Sequence, residues 1–531
     1  MTLGAFKIQS NIDNINLHHL CQPEFPHTLL HVGSSLGDVP PWKSEHLATT
    51  AKSDYDLQSY CCNDVAITRR CLDPLVEQVR LKGLLDLYWI DSRMQEITRD
   101  LHRVGMYVVE DERKRLDDEL LVKKAVARKQ CVELGGIAPA DLESATEIVE
   151  DEETGEELNP GSFPQICDLL FDKWKLPVTA YTDAGEPSTK EEALIALMPL
   201  LPVADSRRQF LMALRRYRKF QQARSTYTKR YVPNQKGSKS GLFVWPDGRI
   251  RASYNMHSVP GGRFACSKPN LQNVSRRFRA MYAAAPGHML VYADQNALEL
   301  RVAAGLANDV PFIQEFLSGR KVHLQTCRIV YGAGFDAKSK AERDRLYDFV
   351  KRITYAWIYS ALVKTIHEQV LSSEDENFEL PYLNVKLQQT RETVDALNAA
   401  HPSITRWWDK EIETWRTQRY LTSEFLKRRM DFADGKEDRP LQVNFRCQSS
   451  GRDVMIKAHL QLRDALPPFY AGPGTGLIQD GHDAVLVECP EDDVARVKGI
   501  VAECMNQKFD GFPLPFVGEA KSGRTWADVS G

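Results

Sequence analysis

Apolar residues recur at three- and four-residue spacing through Val79 to Arg103 and again through Glu112 to Glu133, which predicts two amphipathic helices with Gly105 between them. The period changes at Met289-Leu290-Val291-Tyr292-Ala293, a short apolar run with β-branched and aromatic content that predicts a strand. Ala297 to Ala304 returns to helical spacing, so Asp294 falls at a strand-to-helix corner. Farther along, Lys351, Tyr355 and Tyr359 recur every four residues and put one cation and two aromatic rings on one helical face. Leu477 to His482 contains Asp480-Gly481 between apolar runs, a hairpin signal that places Asp483 beside a tight turn. Val494, Val497, Ile500, Val501, Cys504 and Met505 form the apolar stripe of a helix that packs on a sheet. Gly248 to Asn255 reads as a further strand, and Leu300 to about Thr422 is mainly helical.

Two carboxylates carried by separate strands can hold a pair of Mg²⁺ ions roughly 3.5 to 4 Å apart, one activating an attacking oxygen and one steadying a leaving group. Asp294 and Asp483 are such a pair, with Mn²⁺ as the alternative ion. Either residue alone is equally well an N-cap or a turn former. A lysine supplies a point charge and a proton to a departing phosphate, and rings supply a stacking platform, so the Lys351 face suits a nucleotide. The same spacing also describes an amphipathic helix with core tyrosines.

Composition bounds the picture without deciding it. At 531 residues the chain is long enough for several domains of roughly 150 residues. With 43% hydrophobic and 27% charged residues it has an ordinary globular composition. The net charge of −3 hides a basic run at 215–230 with seven cations and no anion, a candidate for tracking a nucleic-acid backbone or a solvated basic face. Part of the opposing charge lies in Glu147 to Glu157. No stretch of about 20 apolar residues is present and Met1 to Ser10 has no signal-peptide pattern, so a cytoplasmic protein with no membrane partner is expected. The 11 cysteines include no Cys-x-x-Cys pair, which fits reduced thiols.

The segment Gly261-Gly262-Arg263-Phe264-Ala265-Cys266-Ser267-Lys268-Pro269-Asn270-Leu271-Gln272-Asn273 resembles the Gly-Arg-x-x-x-x-x-Pro-Asn-Leu-Gln-Asn run of family A DNA polymerases, the bacterial polymerase I type. Other motifs of that family follow in order. Asp294 to Arg301 resembles its first catalytic motif, His323 to Gly332 its histidine-containing stretch, and Lys351 to Tyr359 its fingers helix. Asn444 to Gln448 resembles its minor-groove amides, His482-Asp483 its second catalytic motif, and Gly523 to Trp526 its carboxyl end. Leu158 to Ser162, Gly185 to Thr189 and Ser225-Thr226-Tyr227 resemble its thumb.

That resemblance implies an α+β fold shaped as a right hand, with a palm of mixed helices and antiparallel sheet, and template-directed addition of deoxynucleotides to a primer 3′-hydroxyl. The implied parts are a thumb at 79–245, a first part of the palm at 246–300, fingers at 301–425 and the remaining palm at 426–531. Asp294 and Asp483 would bind both metals with the carbonyl of Gln295 as a further ligand, and Glu299 with Tyr359 would exclude a ribose 2′-hydroxyl. Lys351 would protonate pyrophosphate, Tyr355 would stack on the incoming base, and His323 with Arg352 would meet the triphosphate. Arg263, Gln272, Asn273, Asn444 and Gln448 would read minor-groove acceptors that every correct pair presents alike. Arg277, His482, Ser225, Thr226 and Tyr227 complete the implied DNA contacts, so the partners are primer–template DNA and deoxynucleoside triphosphates.

The chain departs from the family at three places. Tyr347 stands where an arginine is usual, with Arg343 or Arg352 as substitutes, Ser360 replaces a glycine and Ala484 replaces a glutamate. Tyr60-Cys61-Cys62-Asn63-Asp64 has the Tyr-x-x-x-Asp spacing of a third 3′-5′ exonuclease motif, and His18-His19 through Pro41-Trp42-Lys43 resembles the part before it in phage polymerases. Later Asp-x-Glu matches such as Asp117-Asp118-Glu119, Asp141-Leu142-Glu143 and Asp151-Glu152-Glu153 fall in the wrong order. Residues 1–78 therefore read as the remnant of an exonuclease domain, in a bacterial or phage-infected cell, with a separate exonuclease polypeptide as a further candidate partner. The alternatives are a single-subunit RNA polymerase-like nucleotidyltransferase and a catalytically weakened DNA-binding accessory factor.

Overall fold

Alternating burial along His288–Gln295 makes this strand the spine of the molecule, with Val291, Ala293 and Gln295 buried on one face and Asp294 open on the other. It is central in an antiparallel sheet ordered Gly518–Gly523, His288–Gln295, Ala484–Pro490, Gly476–Asp480. Helix Val494–Met505 lays its stripe of Val497, Val501, Cys504 and Met505 on the buried face, as the spacing predicts. Helix Arg439–Ala465 packs against that helix in turn. Each Val or Leu buried here contributes about 1.5–3 kcal/mol.

The structure is a computed structural model that describes residues 13–36, 54–135, 158–233, 241–432, 435–466 and 476–530. The expectations for Pro41 to Lys43, for Asp141 to Glu143 and for Glu147 to Glu157 lie outside the described residues.

A second apolar core is mainly helical. It joins Leu298–Leu306, Val310–Leu317, Val322–Tyr331, Lys340–Ile358, Val363–Leu371, Leu387–Ala400 and Pro402–Gln418 around buried Trp357, Trp407 and Trp408. This agrees with the helical reading from Leu300 to about Thr422. A third core binds Glu191–Leu197 and Ser206–Ala223 to the end of Glu110–Leu134. A smaller cluster around Leu17, Cys71 and Leu75 holds Asn14–Cys21 and Asp54–Leu81, and Tyr60 and Asp64 ride on the latter helix. Among the described residues of the first 78, no strand is present.

Two expectations about elements need correction, and one strand was missed. The helix predicted over Val79 to Arg103 is two helices, Asp54–Leu81 and Leu85–Val104, parted at Gly83, whose φ of 70° only glycine adopts cheaply. Gly248 to Asn255 does not join the sheet that carries Asp294. Arg249–Ile250 pairs with Met106–Val108, which also pairs with Tyr282–Ala283, while Ser253–Asn255 pairs with Ala265–Ser267. The strand Met106–Val108 itself escaped the sequence reading, because three residues carry too little alternation to show a period.

Candidate active site

Asp294 and Asp483 meet at the open end of the four-stranded sheet. Asp294 pairs in register with Ala484, and the amide of Gln295 donates to the carbonyl of Asp483 at 2.8 Å. The tight turn between Gly476–Asp480 and Ala484–Pro490 is made by Gly481 and by His482 at a φ of 72°. Asp483 thus ends its turn beside the strand that ends at Asp294. Although both aspartates are solvent-accessible, burial by surrounding protein, then the negative charges of Glu299 and Asp294, push the Asp483 carboxyl up to about 6. Glu299 and Asp294 thus outweigh the nearby Arg263 cation at Asp483, and the aspartates form a donor set of hard oxygens that a divalent cation would neutralise. Among the described residues no three His, Cys, Asp or Glu side chains form a complete ligand shell. An ion that takes one or two carboxylates plus substrate phosphate oxygens needs no such shell. The Gln295 side chain is turned away and donates to the Met505 carbonyl at 2.6 Å, which leaves only its main chain for a metal.

Glu299, in the first turn of helix Leu298–Leu306, is the hub of the neighbouring wall. Its carboxylate accepts from the Tyr359 hydroxyl and from the Arg263 guanidinium. Tyr359 caps helix Lys340–Ile358 rather than lying within it, and Lys351 and Tyr355 stand on the preceding turns. These three residues, with Arg352 and Asn444, line a cavity of about 570 Å³ whose far wall is Gln369, Val370 and Ser373. His323 lies behind it, its ring 5.3 Å from Tyr355 and 6.0 Å from Tyr347. Burial, then the Lys351 charge, lower the His323 imidazole to about 4, and neither ring nitrogen has a partner.

The Gly261 to Asn273 segment forms the opposite rim. Gln272 lies 3.4 Å from both Asp480 and His482, and Asn273 is exposed with its carbonyl held by the Tyr227 hydroxyl at 3.2 Å. Beneath them Arg452 contacts Asp480 at 3.1 Å and lies 4.0 Å over the Phe264 ring, while His459 is 3.2 Å from Asp480. Burial alone would raise Asp480, but Arg452 and His459 hold it well below the usual range. This buried network fixes the turn that presents His482 and Asp483, and no motif announced it. Asn444 and Gln448 lie one turn apart on Arg439–Ala465, both partly exposed.

Residues 131–528 match the description of DNA polymerase family A. The chain belongs to DNA polymerase family A. Similar curated proteins include DNA polymerase I of Chloroflexus aurantiacus, 25% identical over 89% of this chain and 46% of that protein. DNA polymerase I of Pseudomonas aeruginosa is 26% identical over 71% of this chain and 39% of its own length. The chain thus spans about half the length or less of these relatives. Among solved structures, the POL domain of Pol1 from M. smegmatis, in complex with DNA primer-template and dNTP, matches with a TM-score of 0.74 at 18% identity. That match covers 98% of this chain and 82% of the other. The fold is the polymerase right hand, α+β with an antiparallel palm sheet. None of these matches bears out the exonuclease remnant.

Several residues of this family A chain do not sit as their motifs suggest. The basic run 215–230 is not a free cationic face. Arg215 pairs with Glu191 and Glu374, Arg216 with Glu379, Lys219 with Glu191 and Glu374, Arg224 with Asp117, and Arg230 with Glu110. Ser225 and Thr226 are partly exposed just beyond helix Ser206–Ala223. Arg277 is paired with Glu119 at 2.6 Å. Of the two proposed substitutes for the arginine missing at Tyr347, Arg343 donates to the Asp336 carbonyl at 3.1 Å, whereas Arg352 lines the cavity and is paired there with Asp348 at 2.8 Å. Charge counting along a sequence does not show which acids arrive from elsewhere.

One acidic residue was missed outright. Glu519 on the edge strand pairs in register with Asp294, and residues directly opposite in an antiparallel pair share a face. On that face Asp294 is flanked by exposed Glu519 on one side and Ala484 on the other. A lone glutamate in Gly518–Gly523 gives no sequence signal, since only strand order makes it a neighbour.

Proposed function

We propose that this chain is a template-directed DNA polymerase that joins a deoxynucleoside triphosphate to a primer 3′-hydroxyl with release of pyrophosphate. The observation that carries the reading is the meeting of Asp294, near the end of its strand, with Asp483, at the turn into the adjacent strand, beside a cavity that holds Lys351, Tyr355 and Tyr359. Two Mg²⁺ ions, or Mn²⁺, held by these aspartates and the Gln295 carbonyl would supply activation of the attacking oxygen and neutralisation of the leaving group. Lys351 is the proton donor to pyrophosphate in this reading, and Tyr355 stacks on the incoming base. Glu299 is the group that excludes a 2′-hydroxyl in this reading, supported by its fixed position between Tyr359 and Arg263, and this speaks against an RNA polymerase-like enzyme. Gln272, Asn273, Asn444, Gln448 and His482 form the rim that meets the minor groove of the primer–template, with thumb, palm and fingers divided near residues 245, 300 and 425. No helix among the described residues is long and apolar enough to cross a membrane.

Primer extension by the parent chain against Asp294→Asn and Asp483→Asn tests the reading. The parent extends, and each variant falls by at least about 10³-fold, a loss of several kcal/mol of charge stabilisation, while duplex binding stays within a few-fold. Primer binding without extension at any Mg²⁺ or Mn²⁺ concentration would instead make it an accessory DNA-binding factor.

A further inference from the structure

Two of the acids that neutralise the thumb, Glu374 and Glu379, come from the fingers. Residues 373–386 leave the end of helix Val363–Leu371, cross to thumb helix Ser206–Ala223, and return to helix Leu387–Ala400. Glu374 is shared by Arg215 and Lys219, the latter at 2.9 Å, and Glu379 holds Arg216 at 2.8 Å. Asn384 accepts from Arg208 at 2.6 Å, and Arg215 donates to the Phe378 carbonyl. Apolar contacts lie under the charges. The Phe378 ring meets Phe220 at 5.8 Å, and Leu383 is buried in the apolar core of thumb residues Phe210, Leu211 and Leu214.

The same segment is fastened to the nucleotide helix. The Tyr382 hydroxyl bonds the Arg345 carbonyl at 3.1 Å and Asp348 at 2.9 Å on Lys340–Ile358. Its first residue, Ser373, lines the cavity that also holds Lys351 and Tyr355. On the other side the thumb is tied to the palm through Arg277 with Glu119 and Tyr227 with Asn273. Contacts therefore run in a circuit: palm, thumb, strap, nucleotide helix and back to the palm through the strand of Asp294.

We infer that residues 373–386 are a strap that closes the cleft between thumb and fingers into a ring around the primer–template, so that DNA enters by threading a free end. The inference rests on the polymerase reading above. A loose acidic decoy for DNA phosphates would be solvated and exchangeable. Here Arg215 has a side chain only 4% exposed, and DNA could displace Glu374 only by uncovering Phe378 and Leu383 as well. The strap is thus a fixture, and the partner it fits is a duplex passing beneath it.

The test uses the full chain with Arg216→Cys and Glu379→Cys, in a Cys61→Ser, Cys62→Ser background that removes the exposed native pair. A short reducible bis-maleimide linker locks the strap before DNA is added. The locked protein should bind a linear primer–template within about twofold of the unlocked one, yet bind the same primer annealed to a single-stranded circle at least about 50-fold more weakly, with recovery on reduction. Equal binding to line and circle would overturn the ring, because DNA would not pass under the strap. Loss of binding to both would also overturn it, in favour of a strap that excludes DNA. Failure of the unlocked protein to bind either would sink the polymerase reading itself.

Discussion

The Tyr359 hydroxyl donates to Glu299, and Arg263 grips the same carboxylate from the opposite rim of the cleft. One acidic side chain thereby ties the nucleotide helix to the segment proposed to face the minor groove. It is held in place from two sides.

Removing that carboxylate should therefore loosen sugar selection. Glu299→Ala is expected to reduce discrimination of deoxy- over ribonucleoside triphosphate by on the order of 100-fold in kcat/KM, about 2.7 kcal/mol. It should also lower stability by about 1–3 kcal/mol, since Arg263 and Tyr359 lose their shared acceptor. Unchanged discrimination in single-nucleotide incorporation would remove Glu299 from the gate.

The raised Asp483 carboxyl makes metal binding and stability depend on pH. Its folded value of about 6 lies above the ordinary value of 3.8, so without metal its contribution to stability is present below about pH 4 and is lost as pH rises through 6. A divalent cation must displace that proton, so affinity for Mn²⁺ should fall about tenfold per pH unit below 6 and level off above 7. Titration of Mn²⁺ followed by electron paramagnetic resonance checks this, and Asp483→Asn should flatten the profile.

Glu519 stands opposite Asp294 and would add a negative charge beside any cation that aspartate holds. Glu519→Gln should weaken Mn²⁺ binding by about two- to fivefold, the effect of one exposed charge at screened distance, and leave the thermal unfolding midpoint within a degree or so. An unchanged Mn²⁺ isotherm would show that its carboxylate points away from the ions.

Ser360 adopts a φ of 58° immediately after Tyr359, and its buried hydroxyl has no partner. Left-handed backbone costs a residue with a side chain about 1–2 kcal/mol more than glycine, partly offset by the freedom glycine gains when unfolded. Ser360→Gly should stabilise the chain by about 1 kcal/mol in denaturant titration, and a loss of stability would mean that the hydroxyl serves a contact made only in another conformation.

Much of the site could be read from the chain because its chemistry is local. Asp294 at a strand-to-helix corner, Asp483 at an Asp-Gly hairpin and the four-residue rhythm of Lys351 and Tyr355 depend on near-neighbour geometry and lie where their patterns put them, while Tyr359 falls one residue past the helix as its cap. The helical fingers and the stripe on Val494–Met505 follow from the same short-range periodicity. What the folded chain alone decided involves partners brought from far away. Strand order set Glu519 beside Asp294, short strands divided Gly248 to Asn255 between two sheets, and acids of residues 373–386 crossed over to cancel a basic run that had looked free to meet DNA. The reason is physical. Hydrogen-bond periodicity acts over a few residues and leaves its mark in sequence, whereas charge pairing and sheet register are settled by which surfaces the packed cores bring within a few ångströms.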